Sequence, residues 1–494
     1  MSKLVNLPEE PIVGKNLIGG EWQDPASGER IDVISPYTAS SIGTVPMSDA
    51  SDVDRAVQAA KLAAAEWRRV PIRERTQTLF RLRQLMLDRI DDLANLAALE
   101  CGKTVAEARA GVLKGVEIIE FASSLQNMDD GSALEVSRGV TCETRREPLG
   151  VVAGITPFNF PAMVPMWMYP TAITLGNAFI LKPSEKVPLT ADLTGQLMLE
   201  AGFPPGVFSI VHGGKDAVEA ICDHPDIAAV AFVGSTPIAK TVYARATGHG
   251  KRALALGGAK NHFIVLPDAD PDVTIDGVVR SFTGCAGQRC MAASLMIAVG
   301  DVDDLIEKIA AHTRTLELGV DMGAIISGEA HQRIRADIEK AVADGAKLIV
   351  DGRATKAPAG FEGGEWLAPS ILDQASPNME CATKELFGPV LTIVHVNDLD
   401  EALALQSDSP YGNAYSVFTT RGATARYVAE RAEAAMVGIN IGVPVPREPF
   451  SFGGAKASKF GSHDMTGWGG VEFWSSQKKI TSKWALHPDA TWMS

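Results

Sequence analysis

From Gly150 onward the chain alternates short, fully apolar runs with stretches long enough to form a helix, and this rhythm restricts its fold more than any other feature. The runs Val151 to Ile155, Ala178 to Leu181, Val207 to Val211 and Ala228 to Val233 lack the alternating polarity of a half-exposed strand. They read as strands covered on both faces, built from strand-helix-strand units into a parallel sheet. Phe263 to Leu266, Leu295 to Val299, Lys347 to Val350, Val390 to Val394 and Ala414 to Phe418 form a second such series. A chain of 494 residues exceeds what one core ordinarily serves, so two or more domains are expected.

The region before the first sheet reads as largely helical. Leu79, Leu82, Met86, Ile90 and Leu93 recur at helical spacing, predicting one long helix over Arg73 to Leu99, with Gly102 as its stop. Thr104 and Glu107 have capping-box spacing and predict a second helix towards Asn127. Ser132 to Glu147 is polar and alternating, as is the tail around Val471 to Thr481. These two segments are expected to pair as an extended arm, and an exposed arm recruits another subunit.

Composition narrows the classes of partner. Lys and Arg number 46 against 60 Asp and Glu, a net charge of -14 without any basic cluster, which argues against nucleic acid. No apolar stretch reaches the roughly 18 residues of a membrane span. Met1 to Gly14 carries acids and prolines where a signal peptide needs a basic end and an apolar run, so a cytoplasmic protein is expected. Cys101, Cys142, Cys222, Cys285, Cys290 and Cys381 form no Cys-x-x-Cys pair and no His cluster accompanies them, so no metal site is expected.

One cysteine lies in an unusual context. Phe282 to Ala292 reads FTGCAGQRCMA, where Gly284, Ala286 and Gly287 would let backbone and ligand approach Cys290. Arg289 and a helix start just beyond Cys290 would both favour its thiolate, whereas an isolated cysteine is more often a buried filler. Gly150 to Pro161 reads GVVAGITPFNFP, a strand followed by a loop in which Asn159 offers a donor to a developing oxyanion or serves simply as a turn residue. Lys182 to Glu185 reads KPSE, either a solvated turn or an ammonium and a carboxylate suited to ribose hydroxyls. Phe232 to Thr236 reads FVGST at a strand-to-helix junction, where backbone N–H groups and Ser235 suit a pyrophosphate. Glu385 to Pro389 reads ELFGP, and Glu385 alone would be an exposed helix end.

In this order, from IGGEW at Ile18 to ITSKW at Ile480, the motifs resemble the aldehyde dehydrogenase superfamily. The GQRCMA run, GAKNH at Gly258 to His262, ITPFNFP and VEFWSSQKKITSKW are similar to its methylmalonate-semialdehyde branch, which acylates coenzyme A. The resemblance implies an aldehyde dehydrogenase-like α/β fold: a Rossmann-type NAD-binding domain over 1–130 and 150–256, an α/β catalytic domain over 257–456, and a β-arm over 131–149 and 457–494. It implies a homodimer or homotetramer, Cys290 as nucleophile, and an oxyanion hole made by Asn159 and the Cys290 N–H. Lys182 and Glu185 would hold the adenosine ribose of NAD, with Thr156 and Phe158 lining the groove and Ser235 on the pyrophosphate. Glu385 and Phe387 would lie at the nicotinamide ribose, with Lys186 and Gly257 in the same cofactor set. An acid at Glu185 would repel a 2′-phosphate and favour NAD over NADP.

Two departures bear on the chemistry. Hydrolytic relatives carry Glu-Leu-Gly-Gly where this chain has Ala255-Leu256-Gly257-Gly258. Losing a positioned general base removes about 10²- to 10⁴-fold of rate, so coenzyme A is the expected acyl acceptor, and hydrolysis assisted by another carboxylate is the alternative. In the branch two arginines bind the substrate carboxylate; Arg289 matches one, but Lys114 stands at the other, keeping the charge without the bidentate fork. The expected product is acetyl- or propionyl-CoA with loss of carbon dioxide. A nucleotide-independent cysteine acyltransferase and a non-catalytic protein on the same fold are the rival readings.

Overall fold

The structure, a computed structural model, describes residues 4–128 and 131–484; the ends of the expected first domain and arm at 1–3, 129–130 and 485–494 lie outside the described residues. Its largest sheet has eight strands. In spatial order these are Lys459–Phe460, Arg252–Leu256, Ile227–Val233, Val151–Ile155, Ala178–Lys182, Phe208–Ile210, Asn16–Ile18 and Glu21–Gln23. The five central strands run parallel, and every residue of Val151–Ile155 and Ala178–Lys182 is buried. Both faces of these strands are covered, which is why their sequences show no alternation.

The chain builds outward from Val151–Ile155 on one side, then crosses over to add Ile227–Val233 on the other. This crossover creates a switch point, and a crevice opens beyond the carboxyl ends of the strands that flank it. Register brings Ile155 level with both Lys182 and Phe232, and Val233 level with Leu256. The loops that follow these residues are therefore neighbours.

A second sheet has seven strands, ordered Lys347–Val350, Ser370–Asp373, Val390–Val396, Ala293–Val299, Asn261–Val265, Ala414–Phe418 and Met436–Ile439. All neighbours are parallel except the first pair. Only four residues, 257–260, connect the carboxyl end of Arg252–Leu256 to the amino end of Asn261–Val265. The second sheet thus presents its amino ends to the crevice of the first.

The helical region differs from expectation at both ends. Five short strands precede its first helix, Ala50–Trp67; at two to seven residues, several are too short for a period to be visible. The long helix expected over Arg73 to Leu99 is two helices, Ile72–Asp88 and Ile90–Cys101, because Arg89 leaves helical geometry at φ -108°, ψ 22°. Gly102 ends the second in left-handed geometry at φ 84°. The helix Val105–Ser124 starts with a reciprocal Thr104–Glu107 capping box, a device worth about 1 kcal/mol.

Val140–Pro148 pairs with Ser132–Ser137 on one side and with Ser475–Lys483 on the other, from Ser475 opposite Pro148 to Lys483 opposite Val140. The preceding residues do not join this arm. Lys459–Phe460 extends the first sheet, and Val471, Phe473 and Trp474 are buried in its core. Among the described residues, no helix is long and apolar enough to cross a membrane.

Candidate active site

A cavity of about 750 Å³ runs across the crevice between the sheets. Thr156, Phe158 and Asn159 line it from one loop, Lys182, Glu185 and Lys186 from the next, and Ser235 and Gly257 from the following two. Cys290, Glu385 and Phe387 face it from the second sheet. Arg289 and Lys114 are absent from its lining.

Cys290 is held by its backbone. Its carbonyl accepts hydrogen bonds from Asn261 Nδ2 at 2.7 Å and Asn413 Nδ2 at 2.9 Å, at the amino ends of two adjacent strands. Gln288 adds a third constraint. Its Oε1 accepts from the Ile326 N–H at 3.0 Å, its Nε2 donates to the Ala324 carbonyl at 3.2 Å, and its own carbonyl accepts from Asn159 Nδ2 at 3.0 Å. The Asn159 amide is therefore fixed against the nucleophile's turn, and the Cys290 N–H lies beside its own sulfur. Sequence alone assigns no role to Gln288, Asn261 or Asn413, although the GQRCMA and GAKNH motifs contain the first two.

The small residues before Cys290 serve the protein rather than a ligand. Gly287 has φ +68°, and a Cβ there would collide with the Gly388 carbonyl of the ELFGP segment. The space over Gly284 is filled by the Arg289 guanidinium, which donates to the carbonyls of Arg280 and Ser281. Arg289 thus points back at a helix end. The expectation of a favoured thiolate also needs correction, because no helix starts beyond Cys290; the strand Ala293–Val299 follows. Burial, and then the Glu385 carboxylate, push the Cys290 thiol up to about 12, and Arg289 offsets this only in part.

Glu385 is itself displaced. Burial raises its carboxyl to about 7, opposed by the hydrogen bond from the Ala259 N–H, at 3.1 Å, and by Lys260. Gly258 gives it room, since a Cβ at that position would overlap the Glu385 carboxylate. At the far end of the cavity Lys182 Nζ lies 3.1 Å from Glu185 Oε2. Burial lowers the Lys182 ammonium while Glu185 opposes this; burial raises the Glu185 carboxyl, but Lys182, the Glu185 backbone N–H and Lys186 together more than offset it. Ser235 starts the helix Thr236–Gly248 without a side-chain capping bond, so its hydroxyl and the Thr236 and Ile238 N–H groups are available to an anion, while Pro237 between them has none.

Comparisons with known proteins identify the family. The profile of the aldehyde dehydrogenase family matches residues 22–480. The chain belongs to this family. The dehydrogenase is 42% identical over 480 residues to malonate-semialdehyde dehydrogenase 1 of Oceanobacillus iheyensis, covering 95% of this chain and 98% of that one. It is 43% identical to the acylating, mitochondrial methylmalonate-semialdehyde dehydrogenase of Arabidopsis thaliana, covering 97% of this chain and 80% of the other. A Sinorhizobium meliloti structure, described as a methylmalonate-semialdehyde dehydrogenase complexed with NAD, superposes with TM-score 0.95 at 39% identity, covering 98% of this chain and all of that one.

A raised thiol has a direct kinetic signature, because the thiolate fraction below the pKa grows tenfold per pH unit. In the dehydrogenase alone, the rate at which iodoacetamide modifies Cys290 should climb about tenfold per unit from pH 7 to 10. Ionisation of Glu385 near 7 opposes the thiolate and can only flatten the lower part of this rise. Peptide mass spectrometry reads the modified site, and a plateau below pH 8 would contradict the geometry.

Proposed function

We propose that this dehydrogenase oxidises malonate semialdehyde or its methyl derivative through a thioacyl enzyme on Cys290 and transfers the acyl group to coenzyme A. The observation that carries the choice of acceptor is Ala255. It is buried on the strand Arg252–Leu256, so the place of the hydrolytic relatives' glutamate holds a methyl group. Water without a base is a poor nucleophile, whereas a thiol needs little help.

The cavity fits a dinucleotide in size and in the chemistry of its donors. Lys182 and Glu185 suit a ribose diol, Ser235 and the helix start suit a pyrophosphate, and Glu385 and Phe387 suit the second ribose beside Cys290. Thr156, Phe158, Lys186 and Gly257 complete the walls. NAD, when bound, supplies the two-electron acceptor. Cys290 gives its proton to solvent and the thiolate attacks the aldehyde carbon, forming a thiohemiacetal whose oxyanion is held by Asn159 Nδ2 and the Cys290 N–H. Loss of the carbon-bound hydrogen with its electron pair leaves a thioester on Cys290. Coenzyme A, as its thiolate, attacks this thioester and displaces the Cys290 thiolate; the substrate carboxylate leaves as carbon dioxide and the α-carbon takes up a proton from solvent, which makes the product acetyl- or propionyl-CoA. Arg289 and Lys114 are the cations proposed for that carboxylate.

The surrounding features suit this reading. All six cysteines are free thiols, in keeping with a reducing cytoplasm. The outer strand Ser132–Ser137 exposes Leu134 and Val136 at an unpaired edge, a surface for a second copy in a homodimer or homotetramer.

Product analysis tests the acceptor. With malonate semialdehyde, NAD and coenzyme A the enzyme is expected to form a thioester continuously. Without coenzyme A it should release one burst of NADH and then turn over at least about 10²-fold more slowly. Free acid formed at full rate without the thiol would instead support hydrolysis.

A further inference from the structure

Lys114 is already neutralised within the protein. Its Nζ lies 3.1 Å from Glu448 Oε2 and 2.9 Å from Glu117 Oε2. The Lys114 and Glu448 side chains are 19% and 8% exposed, so solvent screens this pair less than an ordinary surface pair. Arg447 faces Glu117 at 3.8 Å, so the quartet of two cations and two carboxylates has no net charge.

The helix that carries Lys114 reaches the cavity wall one turn earlier. Lys114 shares a helix with Gly111, which faces Phe160, and Gly115, which faces Met166; Phe160 lines the cavity. The segment that leads to Glu448 packs Val443 and Val445 against the same apolar cluster as Cys290 and Phe160. We infer that Glu448 is a specificity-determining residue, an internal counter-ion that holds Lys114 and suppresses this enzyme's preference for aldehydes carrying a carboxylate. A substrate carboxylate aimed at Lys114 must compete with Glu448 and approach Glu117, while an uncharged aldehyde meets no such opposition. The inference rests on the semialdehyde reading for the direction in which the substrate's tail points.

The test is the ratio of kcat/KM for carboxylated aldehydes (malonate and succinate semialdehydes) to that for propanal, read as NADH formation. Glu448→Gln should raise this ratio about tenfold, a modest effect for one partly buried charge. Glu448→Asp, which keeps the charge, should retain the native ratio. Lys114→Met should lower the ratio in the native enzyme and abolish the whole gain in the Glu448→Gln background, a coupling that a merely structural role would not produce. An unchanged or lowered ratio in Glu448→Gln, or a gain that survives loss of Lys114, would overturn the inference. A misfolded variant would lose every aldehyde together, so an unchanged ratio overturns the inference when kcat/KM for propanal is retained, and Glu448→Met carries the same test where Glu448→Gln does not fold. Because NADH forms before acyl transfer, failure of coenzyme A as acceptor would sink the acyl-transfer reading while leaving this ratio intact.

Discussion

Replacing Cys290 with alanine is expected to lower kcat/KM for every aldehyde by about 10⁴-fold or more, the scale on which removal of a covalent nucleophile is felt. No neighbouring thiol can substitute. Cys285 is buried in a left-handed turn at φ 55°, and its backbone N–H donates to Glu107 Oε1 at 2.6 Å, away from the cavity. Cys101, Cys222 and Cys381 are buried as well, and burial pushes each of these thiols up. Removing one small side chain from the cavity wall should cost little stability, because the turn is held through the Cys290 carbonyl by the side-chain amides of Asn261 and Asn413. A melting midpoint within a few degrees of the native one, with activity gone, is the expected pair of results. Activity within tenfold of the native enzyme would remove Cys290 from the chemistry.

Replacing Asn159 with alanine should lower kcat by about 10²- to 10³-fold with a much smaller change in KM, since an oxyanion donor matters only once the carbonyl becomes tetrahedral. The same substitution has a second, separable consequence. Without substrate, Asn159 Nδ2 donates to the Gln288 carbonyl at 3.0 Å. Losing that donor leaves a buried acceptor unpaired and should destabilise the fold by about 1–3 kcal/mol. Steady-state kinetics and thermal melting therefore report on different roles of one amide. Loss of stability with kcat unchanged would make Asn159 a purely structural residue.

What could be read from the sequence follows the range of the forces involved. The apolar runs at 151–155 and 414–418 coincide with strands to the residue, because covering both faces of a strand leaves a local signature. The Thr104–Glu107 box and the Gly102 stop were legible for the same reason, as capping acts within one turn. The break at Arg89 was not, since the apolar stripe continues through it from Met86 to Ile90 and nothing local marks the change in backbone angle.

At the cavity, the three loops that follow the apolar runs ending at Ile155, Leu181 and Val233 could be placed from the strand rhythm, but the turn at Gly257 could not, because Arg252–Leu256 was not among the expected strands. The residues that fix Cys290 could not: Asn261 and Asn413 reach its carbonyl from 29 and 123 positions away, and a side-chain amide on a strand looks the same whatever it holds. The charge environment was misread through adjacency. Arg289 neighbours Cys290 in the chain, but its guanidinium turns to Arg280 and Ser281, while the more distant Glu385 governs the thiol together with burial.

The most direct test is to mix enzyme, NAD and malonate semialdehyde without coenzyme A, quench in acid within the first turnover, and locate the acyl group by peptide mass spectrometry. An adduct on the Cys290 peptide is predicted, equal in amount to the NADH formed and discharged as a thioester when coenzyme A is added before the quench. Many equivalents of NADH with Cys290 unmodified, or an adduct that coenzyme A does not remove, would contradict it.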